Sequence, residues 1–387
     1  MDVETISTTW LIVFGVVTIG AALVFPLLLA GPLTWAERRQ SAMIQDRIGP
    51  NRASITLPII GEIRVFGLLH PLADVIKLIT KEDTINDAVD RFLYNLAPMI
   101  ALFPALVTFA VIPFGPDLVD KAGAIMVAPF ANGSVPDLGD AGIPIQAARI
   151  DVGILYIFAM SSLAVFGVTL AGYASSNKFA MMGGLRASAQ MISYEVTMGL
   201  SIMGLIMAFG TLEPGAMVYE QSKLLWGFLP KWGLVIQPIG FVVFLTAAIA
   251  ENKRAPFDQA EGESEIIGYF VEYSGMKFGM FYMAEFIEVV VIAGVVTTLF
   301  LGGWNIPFLF SDGFHIGQAF FAVNQWVVFI LSIGAFVFKV LFMCWFQLML
   351  RWTLPRFRYD QVMDLCWKGL LPLSLANLLV TAWLLVA

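Results

Sequence analysis

The hydrophobic residues of this chain are concentrated in eight long blocks separated by polar segments. A helix of about 20 apolar residues crosses a hydrocarbon core of roughly 30 Å, whereas a barrel strand shows an alternating run of about ten residues. The pattern therefore predicts an all-α polytopic membrane protein that forms a single membrane domain over residues 1–387. The eight predicted transmembrane helices cover about residues 10–33, 94–113, 152–173, 188–210, 233–250, 279–301, 325–350 and 369–386.

A shorter apolar pattern over residues 67–81 repeats at helical spacing. One face of this segment carries Leu68, Leu72, Val75, Ile76 and Ile79. An apolar face of this length opposite polar residues predicts an amphipathic helix at the cytoplasmic membrane surface. Residues 115–150, in contrast, are rich in Gly, Pro and Asp, and we expect an irregular loop there.

Basic residues fall unequally between the loops on the two sides of the predicted bundle. The loops on one side hold 17 of the 22 Lys and Arg residues. By the positive-inside rule this side is cytoplasmic, so both termini are expected on the non-cytoplasmic side. The low charged fraction of 13% and the mean hydropathy of +0.82 agree with a membrane protein. A net charge of −7 excludes a nucleic-acid-binding protein.

Metal-ligating residues are scarce. The chain has two cysteines, whereas an iron–sulfur cluster needs about four thiolates. Its two histidines, His70 and His315, lie outside the apolar blocks, whereas the paired histidines of a membrane haem lie within the bilayer. No redox metal is therefore expected in this chain. No Walker-type phosphate-binding loop is present. Asp2 and Glu4 precede the first apolar block without any Lys or Arg, which is untypical of a cleaved signal peptide. We therefore expect the first block to remain as a membrane helix.

Three carboxylic acids lie inside predicted membrane helices. Glu195 is in the fourth, and Glu285 and Glu288 lie one turn apart in the sixth, with Tyr282 one turn before them. A carboxylate at bilayer depth costs at least about 2.5–3.5 kcal/mol, so such acids are candidates for proton transfer. The alternative is that each acid is a neutral hydrogen-bonding group between helices.

An acidic segment lies between the fifth and sixth predicted helices. Its carboxylates are Glu251, Asp258, Glu261, Glu263, Glu265 and Glu272. A run of charges is usually a solvated face, but apolar and aromatic residues are interleaved with this one. We therefore favour a buried acidic funnel that leads from the cytoplasmic side towards Glu195 and Glu285.

A base-rich segment follows the first predicted helix. It contains Glu37, Arg38 and Arg47, and the amphipathic helix adds Asp74 and Lys77. Anchoring to anionic lipid would explain the bases but not the accompanying acids. A polar gateway or a protein interface explains both.

These segments resemble one family, the H-type membrane subunits of bacterial NADH-quinone oxidoreductase, whose mitochondrial counterpart is NADH dehydrogenase subunit 1 of respiratory complex I. Matches to the family occur in order at residues 37–39, 45–52, 67–82, 183–195, 254–265, 271–277 and 350–360. The resemblance implies a membrane subunit at the junction with the hydrophilic arm, with the amphipathic helix and helices one and six at the entrance of a quinone cavity. It also implies that quinone is the substrate and that flavin and iron–sulfur clusters belong to partner subunits.

The residues themselves and the resemblance together predict three groups of site residues. Those of the quinone cavity and its rim are Glu37, Arg38, Arg47, His70, Asp74, Lys77 and Tyr282. Those of the proton path to the membrane arm are Glu195, Glu251, Asp258, Glu261, Glu263, Glu265, Glu272, Glu285 and Glu288. Those facing the hydrophilic arm are Arg254, Arg356, Arg358 and Asp360. The implied partners are the other membrane and hydrophilic subunits of complex I and the lipid bilayer of a prokaryotic inner membrane.

Two departures from the family pattern lie near the expected cavity entrance. The connection over residues 53–66 is longer than usual, and His70 stands where Gln is common. Two other functions remain open. One is the homologous subunit of a membrane-bound hydrogenase-type ion-pumping complex, and the other is a proton-coupled transporter, which the absence of an inverted repeat disfavours.

Overall fold

The fold is taken from a computed structural model. It describes residues 8–57, 61–121, 124–128, 130, 142–225, 227–262, 265–316 and 319–386. Within these ranges the α-helices are α1 (Thr8–Ile44), α2 (Leu69–Thr80), α3 (Arg91–Thr108), α4 (Gly153–Ala174), α5 (Lys178–Phe209), α6 (Pro214–Gln221), α7 (Gly233–Ile236), α8 (Pro238–Glu251), α9 (Gly275–Phe300), α10 (Gln325–Thr353), α11 (Tyr359–Asp364) and α12 (Leu371–Val386).

Seven helical segments in the described part of the chain are long and apolar enough to cross a membrane, which supports a polytopic membrane protein. Six of them contain α1, α3, α4, α5, α9 and α10, and the seventh runs from Tyr359 to Val386 through a π-helical turn at Leu365–Leu370. The remaining predicted span, 233–250, is divided at Gln237 into α7 and α8. Its 14-residue α8 extends only about 21 Å, so an eighth span and the orientation of the termini remain predictions.

Helix α9 is the centre of the bundle, because 83% of its most apolar window is buried inside the chain. It packs against α1, α3 and α10. Helix α4 packs between α3 and α5, and α5 also packs against α8 and α12. Close packing depends on small residues: a Cβ on Gly167 of α4 would lie 2.6 Å from the backbone nitrogen of Ala101 on α3. The acids of α9 therefore face protein rather than lipid.

Short strands in the connections correct the purely helical prediction. Hairpins are formed by β1 (Ile55–Leu57) with β2 (Gly61–Ile63) and by β6 (Leu224–Leu225) with β7 (Leu229–Pro230). Antiparallel three-stranded sheets are formed by β3 (Leu118–Lys121), β4 (Ala124–Val127) and β5 (Gly142–Ile143), and by β8 (Leu309–Phe310), β9 (Gly313–Ile316) and β10 (Ala319–Ala322).

The expectation of an irregular loop over 115–150 is wrong for the part that forms β3 to β5. Leu118, Val127 and Ile143 bury their side chains in the main core, so these strands cover one end of the bundle. The amphipathic helix is confirmed as α2, whose Leu72, Ile76 and Ile79 are exposed on the surface of the chain.

Candidate functional site

A buried ion cluster lies where α1, α9 and α10 meet the loop after α8. Glu37 is 7% exposed, accepts a hydrogen bond from Arg254 at 2.9 Å and forms an ion pair with Arg351 at 2.5 Å. The Arg254 guanidinium also lies over the ring of Phe286, 4.0 Å from its centroid. The Glu37 carboxylate thus pairs with two guanidinium groups, and such pairing is needed because an unpaired charge inside a protein is costly. Arg254, predicted to face a docking partner, is buried within this chain and is only 7% exposed.

A second cluster of acids begins beside Arg254. The Glu285 carboxyl of α9 hydrogen-bonds the side chains of Glu261 and Tyr269 from the acidic loop. Burial, reinforced by the charge of Glu285, raises the pKa of Glu261 well above its usual value. Burial likewise raises the pKa of the Tyr269 hydroxyl. The loop therefore supplies groups that keep their protons next to a membrane-helix carboxyl.

The acids continue along the bundle from Glu285. Glu288, one turn further along α9, lies 3.9 Å from the buried Lys253 ammonium. Glu288 and Glu251 both line a small, mostly apolar cavity of about 70 Å³ between α3, α4, α5, α8 and α9.

Two serines of α4 contact the far members of this series. The Ser161 hydroxyl hydrogen-bonds Glu251, and the Ser162 hydroxyl donates to Glu195. We call Glu261, Glu285, Glu288, Glu251 and Glu195, in this spatial order, the acid series.

Other predicted path residues lie beside the acid series rather than within it. Asp258 is buried and pairs with Arg356 at 2.6 Å. Burial raises the pKa of Asp258, against the opposing effect of Arg356. The side chain of Glu265 is 48% exposed and pairs with Arg186 at 2.6 Å, so it does not share the expected burial.

Glu272 accepts a hydrogen bond from the Asn177 side-chain amide at 2.8 Å, away from the acid series. Glu263 lies outside the described residues. Arg358 and Asp360, two of the residues predicted to face a partner, form an exposed pair at 2.5 Å.

A large cavity of about 500 Å³ lies between α1, α2 and α9, and we call it the α1–α2–α9 cavity. Its walls include Arg38, Asp74, Lys77 and Tyr282, four of the residues predicted for a quinone cavity. Arg38 and Asp74 form an ion pair at 2.5 Å with both side chains partly exposed. The remaining walls are mainly apolar and contain Leu27, Ala30, Gly31, Thr34, Pro71, Val75, Leu78, Lys81, Met276, Phe278, Gly279, Met283 and Phe286. The cavity combines an apolar body with charged groups at one edge.

A basic pocket of about 400 Å³ adjoins that charged edge. Arg38 lines both spaces, and Arg47, Arg52 and His70 complete the basic lining. Nδ1 of His70 lies 3.0 Å from the Gly67 carbonyl oxygen. Gly67 is required at this position because its φ is +87° and a Cβ would lie 2.0 Å from the Pro50 carbonyl oxygen.

Sequence reasoning missed several partners of the predicted residues. Arg351 completes the pairing of Glu37, Tyr269 contacts Glu285, and Lys253 approaches Glu288. Each lies close in sequence to a predicted residue or motif, but no periodicity identifies which carboxylate it faces. Within the ranges that the structure describes, no three His, Cys, Asp or Glu side chains gather as metal ligands do.

Comparisons with known proteins give consistent matches over most of the chain. A family profile described as NADH dehydrogenase matches residues 17–382. An H-type subunit of NADH-quinone oxidoreductase from Geobacter metallireducens is 43% identical over 361 residues, which are 93% of each chain. The H-type subunit from Geobacter sulfurreducens is 44% identical over 93% of each chain. The one from Cytophaga hutchinsonii is 40% identical over 94% of each chain.

Proposed function

This chain belongs to the NADH dehydrogenase family, and we propose that it is the membrane subunit of a proton-translocating NADH-quinone oxidoreductase that admits quinone through the α1–α2–α9 cavity. The observation that carries this proposal is the cavity itself, about 500 Å³ of mainly apolar space with Arg38, Asp74 and Lys77 at its charged edge. An apolar isoprenoid tail fits such walls, and a polar quinone head fits the charged edge.

The position of α2 supports entry of a lipid-soluble substrate. Leu72, Ile76 and Ile79 are exposed on the outside of the chain, while Asp74 and Lys77 line the cavity. An amphipathic helix of this kind lies in the membrane interface. A quinone diffusing in the bilayer would therefore meet the cavity at the level of its own headgroup.

The acid series supports a role in coupling. Reduction of a quinone near Arg38 would change the charge at one end of the acid series, in which Glu261 hydrogen-bonds Glu285 and the charges of Glu288 and Glu195 act on Glu251. In a low-dielectric environment a nearby charge strongly changes the protonation of a carboxyl. We infer that this change in protonation passes through Glu261 and Glu285 to Glu195.

Electrons must come from other subunits in this scheme. We propose that flavin and iron–sulfur clusters in hydrophilic partners deliver them, and that the exposed Arg356, Arg358 and Asp360 contribute to the docking surface. The relatives are bacterial, which supports a bacterial inner membrane as the location.

The experiment that tests quinone entry narrows the cavity without a clash inside the chain. Gly31 lines the cavity, and no heavy atom lies within 4 Å of the position of an added Cβ. In the assembled complex, Gly31→Phe should raise KM for a long-tailed quinone by at least about tenfold, equivalent to about 1.4 kcal/mol. Photoaffinity labelling of α1 and α9 by a quinone analogue should fall in parallel.

Gly20 provides the matched control on the same helix. A Cβ there also meets nothing within 4 Å, and Gly20 does not line the cavity. Gly20→Phe should therefore keep the wild-type KM and labelling. Equal KM values in the two variants, with normal complex content, would refute entry through this cavity.

A further inference from the structure

A cluster of polar side chains lies at the end of the bundle opposite Glu37. It consists of Asp117 ahead of β3, Gln146 and Arg149 ahead of α4, Glu213 at the start of α6, and Tyr219 on α6. Asp117 is 9% exposed, Tyr219 4% and Gln146 5%. The cluster has no part in the cavity or the acid series.

Asp117 is held by groups from each segment that packs against it. Its backbone N–H donates to the Tyr219 hydroxyl at 2.9 Å, and that hydroxyl in turn hydrogen-bonds the Asp117 carboxyl. The carboxyl also accepts from the backbone N–H of Ile145. In the described part of the chain, Arg149, Glu213 and Tyr219 are the titratable groups that face it.

The charges of this cluster do not balance when both carboxyls are ionised. Arg149 is 2.7 Å from Glu213 but 3.6 Å from Asp117. The side chains of Asp117 and Glu213 are only 12% and 14% exposed, so water screens them weakly. One guanidinium faces two carboxylates, and a proton on Asp117 leaves a neutral Arg149–Glu213 pair.

Gln146 gives an independent indication of a ligand in the cluster. Its Oε1 is buried and accepts no hydrogen bond from any residue in the described ranges. This oxygen and Oε1 of Glu213 lie 3.6 and 3.5 Å from the position that a Cβ on Gly215 would occupy. A buried acceptor without a donor is costly, and two converging acceptors suit a water molecule or another hydrogen-bond donor.

We propose that this cluster is a proton-binding site, in which Asp117 takes up the proton and Gln146 with Glu213 hold the water through which it arrives. The oxygen of a carboxylate becomes the hydroxyl of a carboxylic acid, and the hydronium that supplied the proton leaves as water. Because the cluster lies opposite the acid loop, it responds to the pH of the other compartment.

The electrostatics of the cluster agree with this assignment. Burial raises the pKa of Asp117 to about 6, with Arg149 opposing and Glu213 reinforcing the shift. A raised carboxyl pKa means that the folded chain binds the proton more tightly than the unfolded chain. The contribution of Asp117 to stability therefore falls as pH rises from about 4 to about 6.

The test is an infrared pH titration of the whole complex in membranes, comparing the wild type with single variants. The wild type should show a protonated-carboxyl band that disappears with a midpoint near pH 6. Asp117→Asn should remove this band. Glu213→Gln should shift the midpoint to lower pH, because Arg149 would then interact with Asp117 alone.

Asp151 serves as the matched control, because it is exposed and lies two residues beyond Arg149. Asp151→Asn should leave the band and its midpoint unchanged. The proposal is overturned if the band persists in Asp117→Asn, or if Glu213→Gln raises the midpoint. If Asp117→Asn lowers the amount of assembled complex, the titration midpoint of Glu213→Gln still tests the proposal.

Discussion

At the residue scale, the buried charges of this chain are compensated by partners that come from distant parts of the sequence. Glu37 meets Arg254 and Arg351, which lie more than 200 residues further along the chain. The sequence indicated that Glu37 and Arg254 have special roles, because both lie in motifs. It did not indicate that they face each other, since pairing depends on how α1, α8 and α10 pack.

Replacing Glu37 by Gln should destabilise the subunit strongly. The change leaves the buried guanidinium of Arg254 and the partly buried guanidinium of Arg351 with no carboxylate in the cluster, and removing one partner of a buried ion pair typically costs about 3–5 kcal/mol. The measurement is the denaturation midpoint of the assembled complex, together with the amount of subunit in the membrane.

Asp364→Asn is the control for removal of one charge. Its pair with Lys368 is exposed, with side chains 61% and 74% accessible, so the expected loss is about 0–1 kcal/mol. Similar losses of stability in Glu37→Gln and Asp364→Asn would show that the Glu37 cluster stabilises the subunit no more than an exposed ion pair does.

A pH dependence should follow from Glu261. Burial raises its pKa well above the usual 4.5, so the folded chain binds this proton more tightly than the unfolded chain. Stability should therefore fall as pH rises above about 4.5. Glu261→Gln should reduce this slope in pH-dependent denaturation of the complex, and an unchanged slope would contradict the assignment.

At the element scale, apolar blocks predicted the long helices well because six of the eight blocks have the length of a membrane span, about 20 residues or more. The prediction failed for the connections. Residues 115–150 contain the short strands β3 to β5, whose few apolar residues become informative only once the bundle offers them a surface. The division of residues 233–250 at Gln237 was also missed, although Pro238 is a typical first residue of a helix.

Lys339 fixes the end of the central helix. Its ammonium donates to the carbonyl oxygens of Leu301, Gly303 and Asn305 at 2.7–2.9 Å, just after α9 ends. It also lies over the ring of Trp232, 4.6 Å from the centroid. A helix end in a membrane needs such donors, because lipid offers none.

Lys339→Met should therefore lower the stability of the assembled complex by about 3 kcal/mol or more, since it removes three charge-assisted hydrogen bonds. The half-life of the detergent-solubilised complex at raised temperature is the measurement. Lys368→Met, at a side chain that is 74% exposed, should have little effect. A normal half-life for Lys339→Met would contradict a stabilising role for the hydrogen bonds of Lys339.

At the scale of the whole molecule, the candidate site is a product of tertiary packing. The sequence predicted that each acid belongs to a proton path. In the structure, five of these acids, the acid series, lie near one another on α9, α8, α5 and the loop after α8. The structure leaves Glu265 on the surface with Arg186 and Glu272 with Asn177. No sequence spacing separates these two sets, because all the loop acids look alike until the chain is folded.

The most direct test of coupling is the number of protons translocated per electron by sealed vesicles that contain the Glu195→Gln complex. Glutamine can still accept the Ser162 hydrogen bond, so shape is kept while titration is lost. We expect Glu195→Gln to reduce proton translocation or quinone reduction. The control is Glu265→Gln, which replaces an exposed acid and should keep wild-type values of both. Full quinone reduction with a full proton ratio in normally assembled Glu195→Gln would contradict the account.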